Sequence, residues 1–599
     1  MAAWAAVASL AFDFATCQSM EGRGVFGKAG VVSCFIAASL ISSAAFPQEI
    51  GEKPPGPQPS AKPTTAPLAV VIPPPIVNEN ATVQLGGQSF KAYPTPQDWT
   101  GWAIADLFNI PELDRPFIRY LAIPGWGNEQ WWPAANFMLN TSISHSRVIR
   151  NAVPIANGWM LRVNLRELVP QPDRLAKTIA VWDGLANKDP YNHIPDVNLD
   201  GKVVVIAPAI PPEQAELLAS MTLSPGAVYR LDWFMGKALQ TLNKGQYYEF
   251  RQVVLGNDSA ASQDASASGE GRQKSANATS SPAGQTQVDK WLSDRGVFVA
   301  TTEKSGGERR AGMFRSGVTG KARRVDLFPS LAGGLGSITR DIVDETEAAD
   351  AHPIQSLLKF RDDGAEIIVA LPNGLHDYVL ANGKGEIIRE APPNLVHDTT
   401  IPAPHTKRLQ PGLSCISCHC IDREDGWRAV TNDVKDLVES GLNVFGDFSD
   451  QNLTQEEAFD LLAGFYALDI EEADFMLARA RRDYSKAVAK CAAGVKFSAE
   501  KSIVEQVGQL VTSIVHTYDY DLVTPQVAAR EIGYQVPDEF QGNPIPLILG
   551  DIPSDQEIHL FVGALYKGKG INRKDFERVY QDMLLLAQLN QKRQAEAGK

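Results

Sequence analysis

Cysteine is scarce, with six in 599 residues, and its placement is uneven. Cys17 and Cys34 lie near the N-terminus, Cys415, Cys418 and Cys420 form one tight cluster, and Cys491 stands alone. That spacing excludes a disulfide framework and assigns the cluster to local chemistry. Long apolar runs are equally few. Beyond position 45 no uninterrupted stretch approaches the roughly 20 residues that span a bilayer, so the mature chain is not expected to cross a membrane. Positive charge is in deficit: 56 Lys and Arg face 70 Asp and Glu, a net charge of −14, with no basic stripe to offset it. Such a surface repels phosphate backbones and excludes nucleic acid as a partner. The Gly-rich LAGGLGS at 331–337 lacks the lysine of a phosphate-binding loop and reads as a loop. His145, in TSISHS, has no G-x-S-x-G elbow beside it and reads as an ordinary surface or core histidine.

What is present is the composition of a globular protein, 44% hydrophobic and 21% charged. The length asks for two or three cores. Residues 1–45 carry a secretory signal pattern: basic Arg23 and Lys28, an apolar run from Ala29 to Ile41, then small Ser43 and Ala45 at the −3 and −1 positions before Phe46. Met20 offers an alternative start, because the segment ahead of it lacks a basic region. The expected location is therefore the periplasm or the cell surface, with a retained N-terminal anchor of similar composition as the alternative to cleavage.

The reading along the chain is α+β. A Pro-rich linker occupies 46–82 and an extended, polyproline-like form suits it. A Trp-rich α+β domain follows at 83–255. Within it Trp159–Leu168 and Val228–Leu239 look alike, each partly alternating as a half-buried strand does, and are either a duplicated unit or two unrelated strands. The tryptophans read as core and interface residues, with a carbohydrate or quinone site as the other possibility. The stretch 256–289 is almost free of large apolar residues and cannot offset its ordering entropy. From 290 to 410 a β-rich segment continues the α+β domain. Its strands, GVFVATT at 296–302 and those within 365–390, are punctuated by Pro372-Asn373-Gly374 and Asn382-Gly383 and make a β-meander. Residues 411–599 turn helical. Asp469 with Glu472 and Thr524-Pro525 mark helix starts, and Ile503, Val507, Leu510, Ile514 and Tyr518 recur at helical spacing.

One motif is strong. Cys415-Ile416-Ser417-Cys418-His419 has the C-x-x-C-H spacing of c-type haem attachment, in which one helical turn presents two thiols to the vinyl groups of a single porphyrin. His419 then directs a ring nitrogen at the iron as proximal ligand. A chance occurrence is expected on the order of 0.001 times in a chain of this composition, so coincidence is a poor account. Zinc bound by Cys415, Cys418, His419 and Cys420 is the rival, but adjacent ligands close a tetrahedron badly and the sequence holds no second C-x-x-C and no H-x-x-x-H. A disulfide, Cys415 to Cys418 or Cys420 to Cys491, is the remaining alternative.

The haem segment resembles the c-type cytochromes. The longer stretch 312–433 resembles a group of large exported bacterial proteins of undefined activity, through RSGV (315–318), LPNGL (371–375) and GLSCISCH (412–419) in that order. IRYLAI (118–123) and RLDWF (230–234) extend the likeness toward the N-terminus. The resemblance implies one haem c per chain and single-electron transfer with a redox partner protein or a quinone. A peroxidase-type haem enzyme and a haem-based redox or gas sensor are the alternatives. The sixth iron ligand is open, with Met476, His397 and His405 as candidates. If the signal is processed as its small residues indicate, N-terminal sequencing of the exported protein will begin near Phe46; an intact N-terminus on a cytoplasmic, haem-free chain is the contrary result.

Overall fold

The computed structural model describes residues 82–141, 145–186, 188–191, 210–238, 309–313, 323–329, 335–341, 363–388, 411–419, 470–552 and 558–597, together with single positions at 391, 398, 401, 403, 405, 407, 409 and 454. The signal segment, the Pro-rich linker, the 256–289 stretch, the 296–302 strand, His397 and Cys420 lie outside them. The chain divides after Val71, and every described residue belongs to the second unit. Helices and sheets are both present in quantity, so the class is α+β.

A hairpin opens the unit. Strands β1 (Thr82–Leu85) and β2 (Gln88–Ala92) are joined by Gly86-Gly87, both at positive φ, as a two-residue turn between right-twisted strands requires. Helix α1 (Pro96–Leu107) follows, with Pro96 in its first turn and the Thr95 N–H donating to Asp98 Oδ2 at 2.8 Å. Both features belong to a well-made helix start. Strand β3 (Ile118–Ala122) is buried along its whole length, its one charged residue, Arg119, being paired with Asp183 at 2.9 Å. Helix α2 (Trp131–Asn140), strands β4 (Val153–Ile155) and β5 (Met160–Asn164), helices α3 (Pro172–Ala186) and α4 (Pro212–Thr222) and strand β6 (Val228–Arg230) complete this half. The four strands order as β4-β5-β3-β6, with β3 antiparallel to β5 and parallel to β6. The two look-alike segments are thus the neighbours of β3 on either side, each a strand that runs directly into a helical turn.

The next six strands form an antiparallel meander in strict sequence order: β7 (Arg309–Met313), β8 (Arg323–Pro329), β9 (Leu335–Asp341), β10 (Gly364–Ala370), β11 (His376–Asn382) and β12 (Ile387–Ile388). Leu335, Gly336 and Ser337, read from the sequence as loop, are the first residues of β9. Their glycine content hid a strand that is held by pairing on both sides, β8 on one and β10 on the other.

The remainder is helical: α5 (Leu413–His419), α6 (Ile470–Ala492), α7 (Ile503–Tyr520), α8 (Pro525–Glu531), α9 (Ile558–Tyr566) and α10 (Arg573–Ala597). Thr524 caps α8, its side chain accepting from Val527 N at 3.3 Å, which satisfies one of the open donors of the first turn. The apolar stripe of α7 is rotated slightly from its sequence reading: Val504, Val507, Val511, Ile514, Val515 and Tyr518 are buried, while Ile503 is 40% exposed. Between α8 and α9 a short strand, β13 (Tyr534–Gln535), returns to pair with β2. The first and last thirds of the unit therefore share a sheet. They also share a core, since one hydrophobic cluster runs from Leu85 through Trp182, Tyr378, Cys415 and Val507 to Ala587. No helix among the described residues is long and apolar enough to cross a membrane.

Ion pairs are buried where these segments meet. Arg230, at the end of β6, is fully enclosed, with Asp232 Oδ2 at 2.7 Å and Glu531 Oε2 at 2.8 Å. Arg573 reaches Glu531 from α10 at 2.6 Å. Burial alone would raise the Glu531 carboxyl, but the two guanidinium charges outweigh it and hold the group at about 2. Its stabilising contribution is therefore complete above the ordinary carboxylate value, 4.5, and is lost as pH falls toward 2. Glu531→Gln leaves two arginines short of their anion and should cost about 3–5 kcal/mol at pH 7. Urea unfolding from pH 7 down to pH 3 checks both points: the mutant's deficit should be largest at neutral pH and shrink on acidification.

Candidate functional site

The C-x-x-C-H residues occupy a single short helix, α5. Gly412, at φ 85°, turns the chain into it from Pro411, and its carbonyl accepts from Ile416 N at 2.8 Å. That backbone conformation favours glycine, which has no Cβ to clash. At positions i, i+3 and i+4 of a helix, Cys415, Cys418 and His419 fall on one face. Leu413, Ser414, Cys415 and Ile416 are buried and anchor the turn, whereas Cys418 is exposed and the His419 side chain is 21% exposed. The buried Ser414 hydroxyl donates to the Asp398 carboxylate, itself buried, and the Ser417 hydroxyl to the Ser414 carbonyl at 2.8 Å. On another side α5 packs against α7.

The meander supplies the surroundings of His419. In the β10–β11 register Glu366 opposes Leu380, Ile368 opposes Tyr378 and Ala370 opposes His376. Directly paired residues share a sheet face, and every second residue repeats it, so Glu366, Tyr378 and His376 stand on the same face. Glu366 Oε1 lies 3.6 Å from His419 Nε2, and the Tyr378 ring stacks on the His419 ring at 6.3 Å between centroids. His376, buried next along the strand, stacks on Tyr484 of α6 at 4.1 Å and 8°. Its burial, with a smaller effect from the His419 charge, pulls it down to about 3, so it is a neutral imidazole at ordinary pH. Both motif thiols are pushed up: Cys415 by its burial first and the Glu366 charge second, and Cys418, whose side chain reaches solvent yet has protein crowded around much of it, by that partial desolvation first and Glu366 second, to about 11. They are therefore neutral side chains in this setting.

No family model, curated protein or solved structure matches the chain. The chemical reading rests on the donor set. Two thiols and an imidazole at i, i+3 and i+4 fit a c-type haem, whose thioether links need two thiols spaced by one turn and whose iron needs a nitrogen ligand beside them. A zinc ion would need a fourth donor, and the candidate that the sequence offers, Cys420, lies outside the described residues.

Of the candidate sixth ligands, Met476 is a partly buried residue of α6 packed against the main core. His405 is exposed, with its Nε2 3.1 Å from the Tyr520 carbonyl oxygen. His397 lies outside the described residues. The structure instead draws attention to two histidines absent from the sequence reading. His376 stands beside Tyr378 on β11, and His516 sits on α7 with its buried Nε2 lacking a hydrogen-bond partner among the described residues. The signal for the first was available: a tight turn at 371–375 sets the hairpin register, which puts Glu366, Tyr378 and His376 on one face. The position of His516 depends on how α7 packs against α5, which no local pattern reveals. The Ser414 hydroxyl ties α5 to Asp398, so Ser414→Val should lower stability by about 1–3 kcal/mol. Urea denaturation of the purified protein measures this; an unchanged midpoint means that the bond adds nothing to the hold on α5.

Proposed function

We propose that this is an exported haem protein that moves single electrons through one haem c, held covalently by Cys415 and Cys418 and ligated through its iron by His419. The observation that carries the reading is the placement of these three donors on one face of one anchored helical turn. Haem supplies a one-electron iron couple when bound. The chain's own residues supply the rest. Buried Leu413, Ser414 and Ile416 hold the turn fixed, and Tyr378 limits the swing of the His419 ring. Glu366 sets a negative charge beside that ring, which favours a ferric over a ferrous centre and so lowers the potential. Cys418 is exposed, so a group tethered through it borders on solvent, as exchange with a partner protein or a quinone requires.

In this reading residues 411–599 are the helical, haem-bearing part of the unit and the preceding β-rich and Trp-rich segments, which share its sheet and core, are its scaffold, with the periplasm or the cell surface as the location. Because thioether bonds survive denaturation, the exported protein should stain for haem on a denaturing gel, and Cys415→Ala with Cys418→Ala should abolish the stain. Staining retained in the double mutant overturns the assignment. The same preparation separates a carrier from an enzyme. A reduced spectrum that is six-coordinate and barely altered by carbon monoxide supports electron transfer, whereas rapid carbon monoxide binding with peroxide-driven oxidation of a dye supports a peroxidase.

A further inference from the structure

Away from α5, the first half of the unit holds an open cleft of about 630 Å³, within the range of small-molecule sites. Its walls include Tyr93, Trp102, Trp132 and Trp159, with Asp98 and Glu129 among the polar groups. Trp132 and Trp159 are only half-buried, unlike Trp99, Trp182 and Trp233, which are core residues.

The rings are set in place by glycines. A Cβ on Gly125 would stand 2.4 Å from the Tyr93 ring, and one on Gly158 would stand 2.6 Å from the Trp132 ring. Backbone in direct contact with an aromatic face leaves the ring no room to tilt. The Trp132 indole N–H also points to the Gly158 carbonyl, at 3.3 Å, and Tyr93 meets Trp159 edge-on at 6.3 Å. The wall between them carries strain at Ala156, whose φ is 49°; Asn157 at 54° and Gly158 at 89° are residue types that tolerate this conformation. Among the described residues only Leu223 is a further non-glycine residue with positive φ. Strain of that kind persists only where the surroundings over-determine the backbone, as they do at ligand sites.

From this cleft we infer a binding site for a neutral pyranose oligosaccharide, independent of the haem reading. Three properties select that class. The aromatic rings offer flat apolar faces of the sort that cover the C–H faces of sugar rings. The charged lining is mostly acceptor, since Asp98 and Glu129 carry only acceptor oxygens when ionised and Lys91 is the one cation in the lining. Sugar hydroxyls donate to such groups, whereas the carbonyls of a quinone, or a phosphate, are themselves acceptors and would meet like polarity. The volume is also far larger than a single quaternary ammonium headgroup fills, which argues against an aromatic cage for a methylated amine. Both bonds that Asp98 makes to Thr95, at 2.8 and 2.7 Å, fall on Oδ2, so among the described residues Oδ1 keeps its lone pairs for a ligand.

The test is calorimetric titration of the full mature protein with cellotriose, chitotriose and maltotriose, and separately with menadione and tetramethylammonium. The expected result is saturable binding of at least one trisaccharide, weakened roughly tenfold or more by Trp159→Ala and by Glu129→Gln. Glu129 is exposed, so its variant should keep the fold even if the tryptophan variant does not, and thermal melting monitored by circular dichroism checks both. The inference is overturned if none of the three sugars binds saturably, if binding is indifferent to Glu129→Gln and to a folded Trp159→Ala, or if menadione or tetramethylammonium binds in a manner sensitive to these variants while the sugars do not.

Discussion

Arg230 has no exposed surface, and the structure depends on what surrounds it. Its guanidinium forks onto both oxygens of Asp232, at 2.8 and 2.7 Å, and reaches Glu531 at 2.8 Å, 301 residues away in the chain. Arg573 closes the group by placing Nη1 2.6 Å from each oxygen of Glu531. Two cations and two anions cancel, which is the condition under which buried charge can persist. Taking each ion out of water costs several kcal/mol, so the cluster is not a large net source of stability. Its effect is on alignment. Apolar surfaces can slide past one another at small cost, but a forked, charge-assisted guanidinium pair cannot shift by a residue without stranding a charge.

That alignment reaches the motif through α7. The Arg230 guanidinium lies over the Tyr191 ring at 4.2 Å, and the Tyr191 and Tyr518 hydroxyls are 3.1 Å apart. Tyr518 also donates to Glu577 of α10, and Arg573 Nε donates to the Tyr518 carbonyl at 3.2 Å. The C-terminal turn of α7 is thus held by the ion cluster and its tyrosines, while the same helix packs against α5. A motif helix as short as α5 has little stability of its own, because helix nucleation is costly and short helices depend on packing. It keeps its geometry because α7 on one side and the β10–β11 face on another are themselves fixed.

How much of this could be read from the sequence follows from the range of each interaction. The α+β class, the helix start at Thr524 and the strands around the 371–375 turn are local, and caps, periodicity and turn residues announce them. The spacing that makes Cys415, Cys418 and His419 one set is local too. The strand beginning at Leu335 was hidden because its glycines imitate a loop and its evidence is the pairing with β8 and β10. The buried arginines were hidden more deeply. Arg230, in RLDWF, looks like a solvated charge on an alternating strand, and only the arrival of Glu531 and Arg573 from the far end of the chain explains its burial. The tryptophans split for the same reason: whether Trp159 is core or wall depends on what Gly125 and Gly158 allow the neighbouring rings to do.

One helix joins the aromatic cleft to the surroundings of the motif. Trp132, near the start of α2, lines the cleft, and the Asn140 carbonyl, at its end, accepts from Asn373 Nδ2 at 2.9 Å. Asn373 belongs to the turn between β10 and β11, whose strands carry Glu366, His376 and Tyr378 to His419. A helix of this length rises about 15 Å, so the two regions are separated by a single stiff element rather than by a linker. α6 lies along the same helix and presents Tyr484 to His376. A helix is stiff along its axis, and its two ends are both committed to hydrogen bonds, Trp132 to Gly158 and Asn140 to Asn373. A ligand that moved the Trp132 ring would therefore have to break the Gly158 contact, bend α2, or shift the 371–375 turn. The last of these would displace the strands that carry Glu366 and Tyr378, since Asn373 lies in the turn that joins them.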